Sequence, residues 1–128
     1  MVPHPLILLP PSEGKASGGE GPPLDLESLS FDEFNKNRTL LIKSLGQLSK
    51  KPRVAQKTLG VKGVALDKAR ADNADVLNSP TLTAIERYTG VMYDSIDYQS
   101  LDEAAKRVFG ESTLIMSGLF GMVSPYDL

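Results

Sequence analysis

Two short apolar runs at opposite ends of the chain, residues 6–9 (LILL) and 113–116 (TLIM), constrain its fold more than anything between them. Both are rich in strand-compatible residues and both stop abruptly, the first at Pro10-Pro11 and the second at Ser117-Gly118. The first run has no polar alternation and reads as a strand buried on both faces. Two strands alone do not make a stable sheet. The chain must therefore recruit strands that its sequence does not announce, or belong to something longer, and the expected class is mixed α/β with short helices between a first and a last strand. If the two strands run parallel, their carboxyl ends open on one crevice, the usual ligand position in open α/β sheets.

The intervening sequence reads mainly as helices. Ser30 and Glu33 have capping-box spacing, and Phe31, Phe34, Leu41, Leu45 and Leu48 share one face of a helix expected to end at Leu48 or Ser49. Pro52 suits the first turn of a second helix, through Leu59 and stopped by Gly60. A third is expected from Gly63 to about Asn73, with Ala65, Leu66 and Ala69 inward. Ser79-Pro80 reads as a cap and first-turn proline of a helix through Leu82, Ile85 and Tyr88 to Gly90. Gly90 to Tyr93 fits either a strand or a further helical turn. A second capping box, Ser100 with Glu103, opens a helix with Leu101, Ala105 and Val108 on one face and Gly110 as its stop. Residues 16–29, centred on SGGEGPP, form no regular element on this reading and are expected to be a mobile loop able to cover a site.

At 128 residues the chain suits one modest core, and it is read as a single domain, residues 1–128. No apolar run approaches the roughly 20 residues of a membrane span. The absence of cysteine, in line with a reducing cytoplasm, and the presence of one histidine, His4, argue against a histidine or thiolate metal site; no cofactor is expected. The formal charge of −2 hides a polarised distribution. Residues 43–70 hold eight basic side chains against the single acid Asp67, a local charge of +7. Such a block steers polyanions to one face, or simply solvates the outer sides of short helices.

Two groups of candidate site residues follow. The first lies at the strand ends. Ser12-Glu13-Gly14-Lys15 follows the first strand but is no Walker loop, since Leu9 stands where the first glycine is needed and Ala16 follows the lysine. Ser12 and Lys15 remain anion contacts, facing Ser117, Gly118 and Gly121 of the second strand's glycine loop, with Tyr93 and Asp127 as polar lining. A small anionic, nucleotide-like ligand would suit them, although no nucleophile with an adjacent base can be assigned to a reaction. The second group is the basic segment Lys50, Lys51, Arg53, Lys57 and Lys62 with Gly60 and Gly63, a polyanion contact.

Three segments, LILLPPSEGK at residues 6–15, AIERYTGVMYDSID at 84–97 and LIMSGLFGMVSPYDL at 114–128, resemble the YaaA family of bacterial peroxide-stress proteins. The last is the most specific, a family S-G-L-Y-G stretch followed by P-x-D-L, with Phe120 where tyrosine is usual. The PPSEGK start is similar to the actinobacterial version. Family members are roughly twice this long, so the chain corresponds to their N-terminal half, an incomplete domain. That arrangement would leave an edge open to self-association. The resemblance implies a cytoplasmic protein of the hydrogen peroxide response that keeps unincorporated iron low. It also implies DNA binding by a mixed α/β fold with a helix-hairpin-helix element. Leu59-Gly60-Val61-Lys62-Gly63 comes close to that element's turn, with one residue too many between the glycines. The competing readings are thus DNA contact, an enzyme on a small anion, and a stress protein that acts through partner contacts with its glycines purely structural.

Overall fold

The two terminal runs do pair. In the computed structural model, which describes residues 5–128, β1 (Ile7–Leu9) lies parallel to the distant strand Thr113–Ser117, with Ile7 opposite Thr113, Leu8 opposite Leu114 and Leu9 opposite Ile115. His4 lies outside the described residues.

After β1 the chain forms a strap. Residues 16–29, expected to lack regular structure, instead carry β2 (Gly21–Pro23) and a 3-10 turn at Leu26–Ser28. A second 3-10 turn, Asp32–Phe34, leads into α1 (Asn35–Ser49). The Ser30–Glu33 capping box does not form. The Ser30 N–H and hydroxyl both donate to the Asp127 carboxylate, at 3.0 and 2.9 Å, and Phe31 takes a left-handed conformation with φ 61°. A tertiary partner has outbid the local cap. The buried face of α1 is likewise shifted, to Arg38, Ile42 and Ser49, leaving Leu41 exposed.

Next come α2 (Pro52–Leu59) and α3 (Gly63–Ala74), the former with proline in its first turn and Gly60 as a left-handed C-cap at φ 69°. Both starts agree with the sequence. Leu66 is buried in α3, whereas Ala65 is exposed rather than inward. Ser79-Pro80 opens no helix: Pro80–Thr81 is β3, paired antiparallel with β2. Helix α4 is only Ala84–Arg87, and the ambiguous segment beyond Gly90 is helical, α5 (Val91–Ile96).

Helix α6 (Glu103–Ser112) is capped by Asp102, whose carboxylate accepts the Ala105 N–H at 2.8 Å, instead of by Ser100. It also runs through Gly110, because the Tyr126 ring packs where a side chain at that position would stand. Val108 is exposed, and Phe109 turns toward the core in its place. The chain then enters β4 (Thr113–Ser117) and folds back as β5 (Gly121–Val123), so the sheet order is β1-β4-β5. In β5 Val123 opposes Ile115, Met122 opposes Met116 and Gly121 opposes Ser117.

Sheet alternation then divides the residues between two faces. Leu9, Ile115 and Val123 point into a core with Ile85, Tyr88 and Tyr93, packed by Met92, Ile96, Phe109 and Phe120. Ile115 is wholly buried, worth about 1.5–3 kcal/mol of hydrophobic stabilisation. The other face is bare among the described residues: Leu6 and Leu8 are 65% and 56% exposed and Met116 40%. The expected burial of β1 on both faces is thus overturned, since β1 is an edge strand covered on one side alone.

Candidate functional site

The parallel pairing of β1 and β4 sets both carboxyl ends at one cavity of about 870 Å3. Ser12, Lys15, Ser117, Gly118 and Asp127 all line it. Gly121 does not: its Cα faces the Phe34 ring, which would lie 3.3 Å from an added Cβ, and its φ of 74° serves the hairpin. Tyr93 is also a core residue, stacked on Tyr88 at 5.6 Å with its hydroxyl donated to the Pro10 carbonyl at 2.7 Å. Burial, with the neighbouring Tyr88 as a lesser cause, pushes the Tyr93 phenol up to about 12.

The polar lining is unevenly committed. The Ser12 hydroxyl donates to the Gly14 carbonyl at 2.6 Å and accepts the Thr89 N–H at 3.2 Å, fixing the turn after β1. Lys15 donates to the Ser12 carbonyl at 3.1 Å and its ammonium sits 5.5 Å from the Tyr88 ring centre. Asp127 accepts from Ser30 twice and from the Ser124 N–H at 3.0 Å, so the carboxylate works first as a tether between the C-terminal turn and the entry to α1. Ser117 accepts the Phe120 N–H at 3.1 Å and caps the hairpin.

The basic segment forms a separate surface. Lys50, Lys51, Arg53, Lys57 and Lys62 are exposed, and none of them joins an ion pair among the described residues. Gly60 and Gly63 have φ of 69° and 56°, and no atom lies within 4 Å of where their side chains would begin. Lys62 stands at the N-cap of α3 without a side-chain cap hydrogen bond, so the first N–H groups of the helix lack the acceptor that a capping side chain would supply. Of the three other cations of the +7 block, Lys43, Lys68 and Arg70, the last two are engaged elsewhere. Lys68 pairs with Asp72 at 2.5 Å on the cavity wall, and Arg70 donates to the Ser49 carbonyl at 2.7 Å.

Two arginines escaped the sequence reading. Arg87 lines the cavity and donates to the carbonyls of Ala16 at 2.6 Å and Pro80 at 3.3 Å, holding the strap. Arg38 is 1% exposed and anchors α1 to the β4–β5 hairpin. Its signal was present, since Arg38, Ile42, Leu45 and Ser49 fall on one helical face.

A family model described as "Peroxide stress protein YaaA" matches residues 6–128. The chain belongs to the YaaA family. A UPF0246 protein of Streptomyces coelicolor is 42% identical over 95% of this chain and 47% of its own length. One of Corynebacterium efficiens is 43% identical over the same shares. A Campylobacter jejuni protein is 32% identical over 94% of the chain and 49% of its own length. The chain thus spans about half the length of the curated relatives it matches. In this YaaA chain the P-x-D-L motif supplies the Asp127 tether, while S-G-L-F-G supplies the hairpin whose Phe120 carbonyl accepts Arg38 Nε at 2.9 Å.

Proposed function

We propose that this YaaA-family chain contributes to peroxide-stress protection in the cytoplasm by contacting DNA through the turn between α2 and α3, an action that helps keep unincorporated iron low. The observation that carries the reading is the combination at that turn: two left-handed glycines open to solvent, an uncapped helix start, and five exposed cations without carboxylate partners among the described residues. Free N–H groups at a helix start and glycines lacking Cβ let phosphate oxygens approach the backbone. Lys50, Lys51, Arg53, Lys57 and Lys62 would add charge to neighbouring phosphates without reading bases.

Binding of this kind is salt-dependent, with log K falling by about 0.9 per log salt for each neutralised phosphate. Labelled duplex DNA titrated at several salt concentrations provides the test. The triple variant Lys51→Glu, Arg53→Glu, Lys57→Glu is expected to bind weakly and to lose about one unit of slope per contact removed. Unchanged affinity and slope would reject the reading.

A further inference from the structure

Beyond DNA contact, and independently of it, we propose that the cavity at the carboxyl ends of β1 and β4 is a binding site for a phosphate monoester on a compact apolar or planar body, a ligand of mononucleotide size. Its volume of about 870 Å3 falls in the range of small-molecule sites, about 300–1,000 Å3. Leu24, Leu29, Leu45, Leu82, Leu119 and Phe120 line it with apolar surface for the body of the ligand.

The phosphate end follows from what is still free to bind. Lys15 and Arg87 both line the cavity, and neither joins an ion pair among the described residues. Their hydrogen bonds go to backbone carbonyls: Lys15 to Ser12 and, at 3.5 Å, Glu13; Arg87 to Ala16 and Pro80. An ammonium and a guanidinium satisfied only by carbonyls keep their charge for a ligand. Three carboxylates share the walls. Asp72 is engaged by Lys68, Asp127 accepts three hydrogen bonds, and Glu13 is exposed. Ser117 accepts from Phe120 and keeps its own proton to donate, and the Asn73 amide, also in the lining, makes no hydrogen bond within the described residues.

Gly118 completes the site. No atom lies within 4 Å of the position its Cβ would take, so a ligand can lie against the backbone at the end of β4. The strap closes the other side through a two-residue clasp, in which the Ala16 N–H donates to the Arg87 carbonyl at 2.8 Å and Lys15 bridges Tyr88.

Calorimetric titration of this chain with AMP, adenosine and inorganic phosphate tests the proposal. AMP should bind most tightly, because only it offers both the charge and the body. Lys15→Met, which keeps an apolar stem over Tyr88, should weaken AMP by about tenfold or more through loss of a charged donor. Gly118→Leu should abolish binding by filling open space while the melting temperature stays near that of the parent. Neither variant should alter duplex affinity, and saturating duplex should leave AMP affinity unchanged. Absence of AMP binding at millimolar concentration, equal binding of AMP and adenosine, or stoichiometric displacement of AMP by duplex would each overturn the proposal. These outcomes are separable from failure of the DNA reading, whose variants lie on α2 and the residue before it.

Discussion

Arg38 is the residue on which most segments converge. Its Nε donates to the Phe120 carbonyl at 2.9 Å, NH1 to Asn35 Oδ1 at 2.9 Å and the Phe31 carbonyl at 3.2 Å, and NH2 to the carbonyls of Ser30 at 2.8 Å and Met122 at 3.1 Å. No carboxylate pairs with it among the described residues. Burying a charge costs several kcal/mol unless its donors are satisfied, and here carbonyl dipoles satisfy them. Arg38→Met should therefore destabilise the chain by about 3–5 kcal/mol in urea unfolding, because it strands those buried carbonyls. A loss no larger than that of an exposed substitution would contradict this. Tyr93 supplies a pH-dependent counterpart. Its phenol has an ordinary value of 10.0 and is raised to about 12 in the fold. Below pH 10 both states hold the proton and the contribution is whole; between about 10 and 12 the unfolded state ionises first, so stability falls. Tyr93→Phe should flatten that alkaline slope, while costing about 1 kcal/mol at neutral pH for the unpaired Pro10 carbonyl. Melting temperatures of the two proteins from pH 8 to 12 provide the check. Arg38 shares a helical face with Ile42, Leu45 and Ser49, but the burial of its charge, like that of Tyr93, which reads from sequence as crevice lining, depends on partners over 80 residues away in the chain.

At the scale of elements, legibility followed the range of the deciding interactions. The start of α2 at Pro52 and its end at Gly60 were readable because proline geometry and a left-handed glycine are local. The two terminal strands themselves were readable as short apolar runs, whereas their parallel pairing entered only as a condition that the structure fulfils. Strands β2, β3 and β5 were missed, being two or three residues long and existing only through their pairing. Local rules failed where a distant group intervened. Ser30 gives its hydroxyl to Asp127 instead of capping, and Gly110 admits the Tyr126 ring instead of ending α6. The same contrast divides the candidate sites. The basic turn lies within one stretch of sequence, so its residues can be named together from the sequence alone. The cavity draws Arg87, Asn73 and Leu45 from separate elements, so only its strand-end residues were visible.

The whole molecule is asymmetric across its sheet. Helices α4, α5 and α6 supply Ile85, Met92, Ile96 and Phe109 to one face, while the opposite face carries Leu6, Leu8, Leu114, Met116 and Met122 in neighbouring register. Parallel sheets are ordinarily covered on both faces, and contiguous exposed apolar surface drives association. Leu6, Leu8 and Met116 are the exposed members of this face, and burying each against another molecule would gain about 1.5–3 kcal/mol at most, which favours pairing of two copies against the entropy of association. The chain is accordingly expected to self-associate through this face, with the helical side and the basic turn left outward. Sedimentation velocity over a range of concentrations should show the average mass rising above 13.8 kDa. The pair Leu8→Glu and Met116→Lys, both at exposed positions away from the core, should hold the chain monomeric with its melting temperature little changed. If the parent chain stays monomeric throughout, or if the double variant associates as before, the bare face is not the contact.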